Sequence, residues 1–359
     1  MQKPLKLSDV AAAAGVSKAT ASNVFSAPER VRLELRLRVE AAARSLGYAG
    51  PDPKGRLLSG GKANAIGIVP PGAFGIPIAF RHPYMREFLG GVSDICEEHG
   101  AGLHIVSGIA GQKARGIRNA LVDGLILSSI ADAELINPAL RGTLPFVVMD
   151  EDCGPDINSV RSDDRDGARQ ATRHLIELGH RQFAILSVLR DSGKKPIYHG
   201  PQEKSHQLIA GYPIDRERLV GVAEALTPAG ISIDQVPIVE VFGGAGDDDS
   251  FGGARQGAAL LLDKAPQATA ILAMGDTQEL AVLAEAARRN ISVPRELSIV
   301  GFDDPPQLAQ FDPLLTTVVQ DVAEKGRIAA RLLFAHGPPR QIVLPVRLAV
   351  RNSTAAPRS

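Results

Sequence analysis

From Ala65 onward, short apolar runs alternate with amphipathic stretches three to four turns long, and this alternation constrains the fold more than any other feature. Strand candidates are Ala65–Val69, Gly102–Val106, Gly124–Leu127, Phe146–Met149, Phe183–Leu186, Val236–Val239, Ala270–Ala273 and Ser298–Phe302. Between them the periodicity predicts helices over Tyr84–His99, Gly167–Leu178, Arg218–Ala229, Gly253–Asp263 and Thr277–Arg289. Strand–helix alternation implies parallel sheets covered on both faces. About eight such units exceed one comfortable sheet, so two α/β lobes are expected. Ligands in open α/β sheets bind beyond the carboxyl ends of the strands, and between two lobes those ends face one another across a cleft.

A net charge of zero hides an asymmetry. Residues 1–62 hold 11 Lys and Arg against 5 Asp and Glu, so of the 40 residues of each sign the remainder holds 29 against 35. A basic head of +6 on a body of −6 points to a polyanionic partner for the head, with a solvated face as the plain alternative. At 359 residues the chain suits two or three domains, and 44% hydrophobic with 22% charged residues is ordinary for a globular protein. Apolar runs such as Val10–Val16 and Ala270–Met274 are far too short to span a bilayer. MQKPLKLSDV has no apolar signal region, so a cytoplasmic location is expected. Two cysteines, Cys96 and Cys153, make neither a disulfide framework nor a metal cluster and are expected as buried free thiols.

The basic head reads as three short helices. The first runs from Leu7 to Ala14, with Ser8 and Asp9 near its positive end. Gly15 suits a sharp turn, Ser17 caps a second helix from Lys18 to about Phe25, and a third ends at Leu46 before Gly47. Leu35, Val39, Ala42 and Leu46 are expected on one face of that third helix. Helix, glycine turn and Ser-capped second helix form the pattern of a helix-turn-helix. On the second helix Lys18, Ala19 and Asn23 share one exposed face. Lys reaches guanine acceptors, Asn makes a paired contact to adenine, and Ala touches a thymine methyl. Thr20 and Ser22 flank them with hydroxyls suited to phosphate.

The run LSDVAAAAGVSKATASNVF, followed by a helix ending RVEAAARSLGY, resembles the DNA-binding head of the lactose-repressor (LacI/GalR) family of bacterial transcription factors over Leu5 to Tyr48. The resemblance places Lys18, Ala19 and Asn23 at base-reading positions, so the expected DNA-binding set is Ser17, Lys18, Ala19, Thr20, Ser22 and Asn23. Residues 49–62, AGPDPKGRLLSGGK, read as a Gly/Pro-rich linker. In the resembled family this segment becomes a hinge helix on the operator and wedges a leucine into the minor groove, which implies DNA contacts for Arg56, Leu57 and Leu58. Pro53, Gly55 and Gly61 depart from that pattern; each Gly costs a helix about 1 kcal/mol relative to Ala.

The body resembles the effector-binding core of the same family through GARQATRHLIELGHRQFAIL and ISVPRELSIVGFDDPPQLAQFDPLLTTVVQD. The implied fold is a helix-turn-helix head at 1–48, a hinge at 49–62, and a periplasmic-binding-protein-like body of two doubly wound parallel-sheet lobes at 63–359. Lobe 1 is expected at about 63–161 and 320–347, and lobe 2 at about 162–319 and 348–359. Effector-binding candidates are Asp150 and Asp303 at strand ends, Phe302, and Arg218 in R-L-V-G, which matches the family's R-x-x-G. Carboxylates and a planar guanidinium pair well with sugar hydroxyls or an acidic small ligand. A turn for Asp303–Asp304 and a surface salt bridge for Arg218 are the structural alternatives.

Two departures stand out. Gly275–Asp276 replaces the family's Asn-Asp at a strand end, which removes an amide that donates and accepts, so a plain hexose fit is in question. The stretch 190–216 is long and polar, a loop length that is often functional. The loop 72–83, with Phe80, is a further candidate lining. The expected function is a palindromic-operator regulator, a repressor by resemblance, working as a homodimer (or a tetramer) and controlled by a small-molecule effector of sugar type. A solute-binding protein of a transport system is the second reading. No enzyme is expected: G-x-G-x-x-G after the first strand and G-x-x-x-x-G-K-[ST] are both missing, and Asp247-Asp248-Asp249 repels phosphate. No cofactor or metal is expected.

Overall fold

The computed structural model describes residues 5–26, 28–48, 62–71, 75–107, 116–117, 119–128, 144–189, 195–201, 213–242, 252–304, 306–335 and 337–358. The chain divides into a unit at Met1–Ala63 and a unit at Asn64–Ser359.

The first unit holds α1 (Leu7–Ala14), α2 (Lys18–Ser26) and α3 (Leu33–Leu46). Asp9 accepts the Lys6 backbone N–H at 2.8 Å, which puts negative charge at the positive end of α1. Gly15 ends α1 at φ 62°, the left-handed conformation that a helix-to-helix turn requires and a side chain resists. Ser17 Oγ accepts from Thr20 N at 3.1 Å and so caps α2. Small residues dominate the core, Ala11, Ala14, Ala21, Ala42 and Ala43 among them, and let the helices approach closely. Leu46, expected on the packed face of α3, is the last residue of the helix and is 37% exposed, while Ala43 is buried in the core.

The second unit contains two sheets. The first takes β1 (Ala65–Val69), β2 (Gly102–Ile105), β3 (Gly124–Ser128), β4 (Phe146–Met149), β5 (Asn158–Ser162) and, much later in the chain, β12 (Gln341–Leu344). Their order is β12-β5-β4-β3-β1-β2, all parallel. In chain order α4 (Gly75–Arg81) and α5 (Pro83–His99) follow β1. The second sheet takes β6 (Phe183–Leu189), β7 (Ile197–His199), β8 (Ile238–Phe242), β9 (Ala270–Ala273), β10 (Ser298–Asp303), β11 (Thr316–Val319) and β13 (Arg347–Ala349). Its order is β13-β11-β10-β9-β6-β8-β7, parallel except for the two edge strands. The helices α6 (Asp164–Glu177), α7 (Pro213–Leu226), α8 (Gly252–Lys264) and α9 (Asp276–Arg288) belong with this sheet, whereas α10 (Val322–Phe334) packs on the first. The chain therefore passes between the sheets three times, after Ser162, after Val319 and between Leu344 and Arg347.

Central strands are buried on both faces, with Ile66, Ile68, Ile126 and Val147 in one core and Ile185, Leu272 and Val300 in another. Several expected boundaries move. The strand expected at Val236–Val239 starts at Ile238, because Pro237 has no N–H for the ladder. The helix expected from Arg218 begins at Pro213, a residue suited to a first turn, and the one expected from Gly167 begins at Asp164 behind the Asp163 cap. The polar stretch 190–216 is not all loop: it contributes β7, whose His199 sits 2.8 Å from Glu240 of β8. Cys96 is buried, which pushes its thiol up to about 11, whereas Cys153 is only half-buried. Among the described residues no helix is long and apolar enough to cross a membrane.

Candidate DNA-binding helix and interlobe cleft

On α2 the side facing the other helices carries Ala21 and Val24, both buried. The opposite side carries Lys18, Ala19 and Asn23, all exposed, with Thr20 and Ser22 half-buried at its margins. Ser17 Oγ and Thr20 Oγ1 lie 2.9 Å apart, so the two hydroxyls at the start of the helix are held together. The helical spacing thus leaves one cation, one methyl and one amide side by side, the inventory needed to read base edges. Arg56, Leu57 and Leu58 of the expected hinge lie outside the described residues.

Between the two sheets lies a cavity of about 550 Å³. Tyr84 and Glu87 of α5 line it on one side, and Asp303, Asp304 and Pro306 on the other. Crossover residues, among them Gln320, Asp321 and Val346, form the rest of its wall. Behind this wall runs a chain of buried polar contacts. Tyr84 donates its hydroxyl to Asp150 Oδ2 at 3.0 Å. Lys325 Nζ donates to Asp150 Oδ1 at 2.7 Å, to the Tyr84 oxygen at 3.0 Å and to Gln320 Oε1 at 3.1 Å, which uses all three of its protons. Ser162 donates to the same Gln320 oxygen at 2.5 Å, and the Gln320 amide donates to Asp303. Arg218 closes the chain, donating to Asp303 at 3.1 Å, to Asp164 at 2.8 Å and to the Met274 carbonyl at 3.0 Å. Its guanidinium also lies 3.5 Å over the Phe302 ring.

The residues joined this way come from distant elements: α5, the end of β4, α10 and a crossover on one side, and α6, α7 and the end of β10 on the other. Three carboxylate positions sit in left-handed backbone: Asp150 at φ 59°, Asp303 at φ 94° and Asp304 at φ 55°. Such conformations cost side-chain-bearing residues roughly 1–3 kcal/mol each and persist only where neighbours hold them. Here the holders are Lys325, Arg218 and Arg351, the last binding Asp304 through both guanidinium nitrogens at 2.6 and 2.7 Å.

Burial shapes the electrostatics. It raises the Asp164 carboxyl despite Arg218 and Lys325, and pushes Asp215, one turn before Arg218 on α7, up to about 7. Asp215 accepts from Ser187 Oγ at 3.2 Å and from Val188 N at 3.3 Å. Burial opposes the charge on Arg218, yet Asp303, Asp164 and Asp215 together hold it above its ordinary value. Tyr84 is raised by burial and then by Asp150. Among the described residues no group of His, Cys, Asp and Glu is arranged to hold a metal ion.

Of the residues picked from sequence, Asp150, Arg218, Phe302 and Asp303 meet in this network, and Gly275 lies beside it. Arg218 is neither exposed nor in a surface salt bridge; it is 4% exposed between two carboxylates. Phe302 is 1% exposed and carries the Arg218 guanidinium on its ring. Phe80 stands apart on α4, 60% exposed. Asp276 opens α9, and its side chain lies outside the described residues. Tyr84, Asp164, Gln320, Lys325 and Arg351 escaped the sequence reading; of these only Gln320, at the end of the TTVVQ strand, carried the strand-end signal that marked Asp150 and Asp303.

Comparison with known proteins matches a head segment and two overlapping body segments. Residues 6–50 match the family described as bacterial regulatory proteins, lacI family. Residues 79–199 match the periplasmic binding proteins and sugar binding domain of the LacI family, and 172–354 a periplasmic binding protein-like domain. An HTH-type transcriptional regulator of Mycobacterium tuberculosis is 34% identical over 98% of this chain and 97% of its own length. The solved Lac repressor dimer bound to operator and the anti-inducer ONPF is 25% identical, with a TM-score of 0.76 over 99% of this chain and 100% of that one. The CelR–cellobiose complex, a transcriptional regulator, is 27% identical, with a TM-score of 0.66 over 98% of this chain and 100% of that one. With a helix-turn-helix whose second helix exposes Lys18, Ala19 and Asn23 on one side and a two-sheet body built around a polar cleft, the chain belongs to the LacI family of bacterial transcriptional regulators.

Proposed function

We propose that this regulator represses transcription as a cytoplasmic homodimer on a palindromic operator, and that a neutral, hydroxyl-rich small molecule of carbohydrate type bound in the interlobe cleft sets its operator affinity. The observation that carries the ligand half is the cavity of about 550 Å³ walled by Asp303, Gln320 and Tyr84, a volume in the range of small-molecule sites. A carboxylate and an amide suit hydroxyls, which donate and accept at once. CelR was solved with cellobiose and the Lac repressor as a dimer on operator, and both kinds of partner fit this chain's two units. Lys18, Ala19 and Asn23 read bases, with Ser17, Thr20 and Ser22 on phosphates and Arg56, Leu57 and Leu58 on the minor groove. The lobe limits expected from sequence complete the proposal. The ligand acts only through unequal affinity for two arrangements of the lobes. The protein carries out no reaction of its own.

The test is a gel-shift titration of the full chain on its own upstream region at moderate salt, with and without sugars and polyols. A specific shift relieved or strengthened by one compound is expected. Uniform binding to every duplex, unchanged by any compound, would refute the reading.

A further inference from the structure

Gln320 stands at the crossover between β11 and α10 and lines the cavity, although it is only 7% exposed. Its amide is held from both sheets. Oε1 accepts from Lys325 Nζ at 3.1 Å and from Ser162 Oγ, at the end of β5, at 2.5 Å, which uses both of its lone pairs. Nε2 donates to Asp303 Oδ1 at the end of β10. Turned over, the amide would set its NH2 against the Lys325 ammonium and its oxygen against the Asp303 carboxylate, two repulsive contacts in a buried site. One orientation is left. In it, the hydrogen bond that Gln320 still has to offer among the described residues is a single N–H.

Lys325 dictates this orientation more firmly than Ser162 does. A hydroxyl donates or accepts and would tolerate the amide either way round, whereas an ammonium only donates. The ammonium is 1% exposed, and its other two protons are on Asp150 and Tyr84, which hold it in place. Asp321 accepts the Glu324 N–H at 2.8 Å and starts α10, which fixes the short stretch of backbone between Gln320 and Lys325.

We propose that Lys325 is a positioning residue of the effector site: by occupying the Gln320 oxygen it makes the cavity wall at 320 a hydrogen-bond donor and not an acceptor, so the effector presents an acceptor oxygen there. A hydroxyl, a ring oxygen or a carbonyl meets that need. A methylene or an ammonium at the same point leaves the Gln320 N–H desolvated and unpaired. The inference rests on the cleft being the effector site, and it adds which hydrogen-bonding role one wall of that site plays. Lys325 acts on the effector only through Gln320.

The experiment is a thermal-shift titration of the full chain with neutral pentoses, hexoses and polyols. It is followed by the monodeoxy and carbocyclic analogues of a compound that stabilises the wild type, each lacking one oxygen. The proteins are wild type, Gln320→Met, Lys325→Met/Asp150→Asn and the three changes combined. Melting points without compound check that each is folded. Lys325→Gln, whose amide tolerates Gln320 either way round, stands in if the double variant does not fold. One analogue is expected to bind the wild type about tenfold more weakly than its parent, the scale of one buried hydrogen bond. Gln320→Met should bind the two equally. Lys325→Met/Asp150→Asn should lose much of the same discrimination, and the combined variant should match Gln320→Met, because the lysine works through that amide. A lysine with a purely structural role would weaken parent and analogue by one factor and keep their ratio, which overturns the proposal. An unchanged ratio in Gln320→Met, or a wild type that binds parent and every analogue alike, overturns it as well. In each of these cases the compound still binds and the cleft reading stands. If no compound stabilises the wild type, the cleft reading fails and this inference with it.

Discussion

Lys325 Nζ lies 2.7 Å from Asp150 Oδ1, an ion pair whose side chains are 1% and 5% exposed and whose members are 175 residues apart in the chain. The pair fixes α10 against the end of β4 and hands its remaining hydrogen bonds to Tyr84 and Gln320. Removing one partner of such a pair leaves an uncompensated buried charge, which typically costs about 3–5 kcal/mol. Lys325→Met should therefore destabilise the body by about 3 kcal/mol or more in urea unfolding. Adding Asp150→Asn to that variant should recover much of the loss, because the carboxylate left unpaired by the first substitution is then removed. Equal stability of Lys325→Met and wild type would show that the pair is solvated in solution.

Arg351 holds Asp304 through two nitrogens while the backbone of Asp303 and Asp304 stays left-handed. Charged hydrogen bonds contribute about 1.5–3 kcal/mol each where they are well formed, so Arg351→Ala should lower the unfolding free energy on that scale. Arg351→Lys should restore only part, since an ammonium cannot make the paired contact. The same urea titration distinguishes these outcomes.

Asp215 gives the body a pH signature. Burial raises its carboxyl to about 7, with Arg218 acting in the opposite direction, whereas the unfolded value is near 4. Between those values the native state keeps a proton that the unfolded chain has released, so this group's contribution to stability falls as pH rises from about 4 to about 7. His174 and His180 are both lowered by burial, which gives the opposite slope below their ordinary value. The comparison is thus made by difference: Asp215→Asn should gain stability relative to wild type as pH rises from 5 to 7.5. A constant difference between the two proteins across that range contradicts the assignment.

On the head, Lys18→Ala and Asn23→Ala should each change preference at one operator position, at a cost of about 1–3 kcal/mol there. Selection from a randomised duplex pool measures this directly. A uniform loss at all sequences would instead place the two residues on phosphates. Ser17→Ala should act differently, lowering head stability by about 1 kcal/mol through loss of the Thr20 N–H cap.

The fold was legible wherever periodicity and burial coincide. Ala65–Val69, Phe146–Met149 and Ala270–Ala273 have the limits that their apolar runs suggest, and α1 runs from Leu7 to Ala14 as its capping residues indicate. What stayed hidden is mostly the material that joins the sheets. β5 reads Asn-Ser-Val-Arg-Ser, too polar to register as a strand, yet it is paired on both sides. α10 carries Lys325 and Gly326 on its buried face, which breaks the apolar stripe; the lysine is there for Asp150, and the glycine lets the helix lie against the Phe88 carbonyl. Half of the cleft network was visible as strand-end carboxylates and an arginine motif. The rest depends on partners such as Asp150 and Lys325, or Asp304 and Arg351, whose separation in sequence leaves no spacing to detect.

The most direct trial is fluorescence anisotropy of the full chain on a selected operator duplex and on a scrambled one, with and without the compound that most stabilises the body. Preference for the operator by at least about a hundredfold is expected, together with a change of about tenfold or more on adding the compound. Equal affinity for both duplexes, indifferent to the compound, would contradict the view that α2 reads bases while the cleft reports on a small molecule.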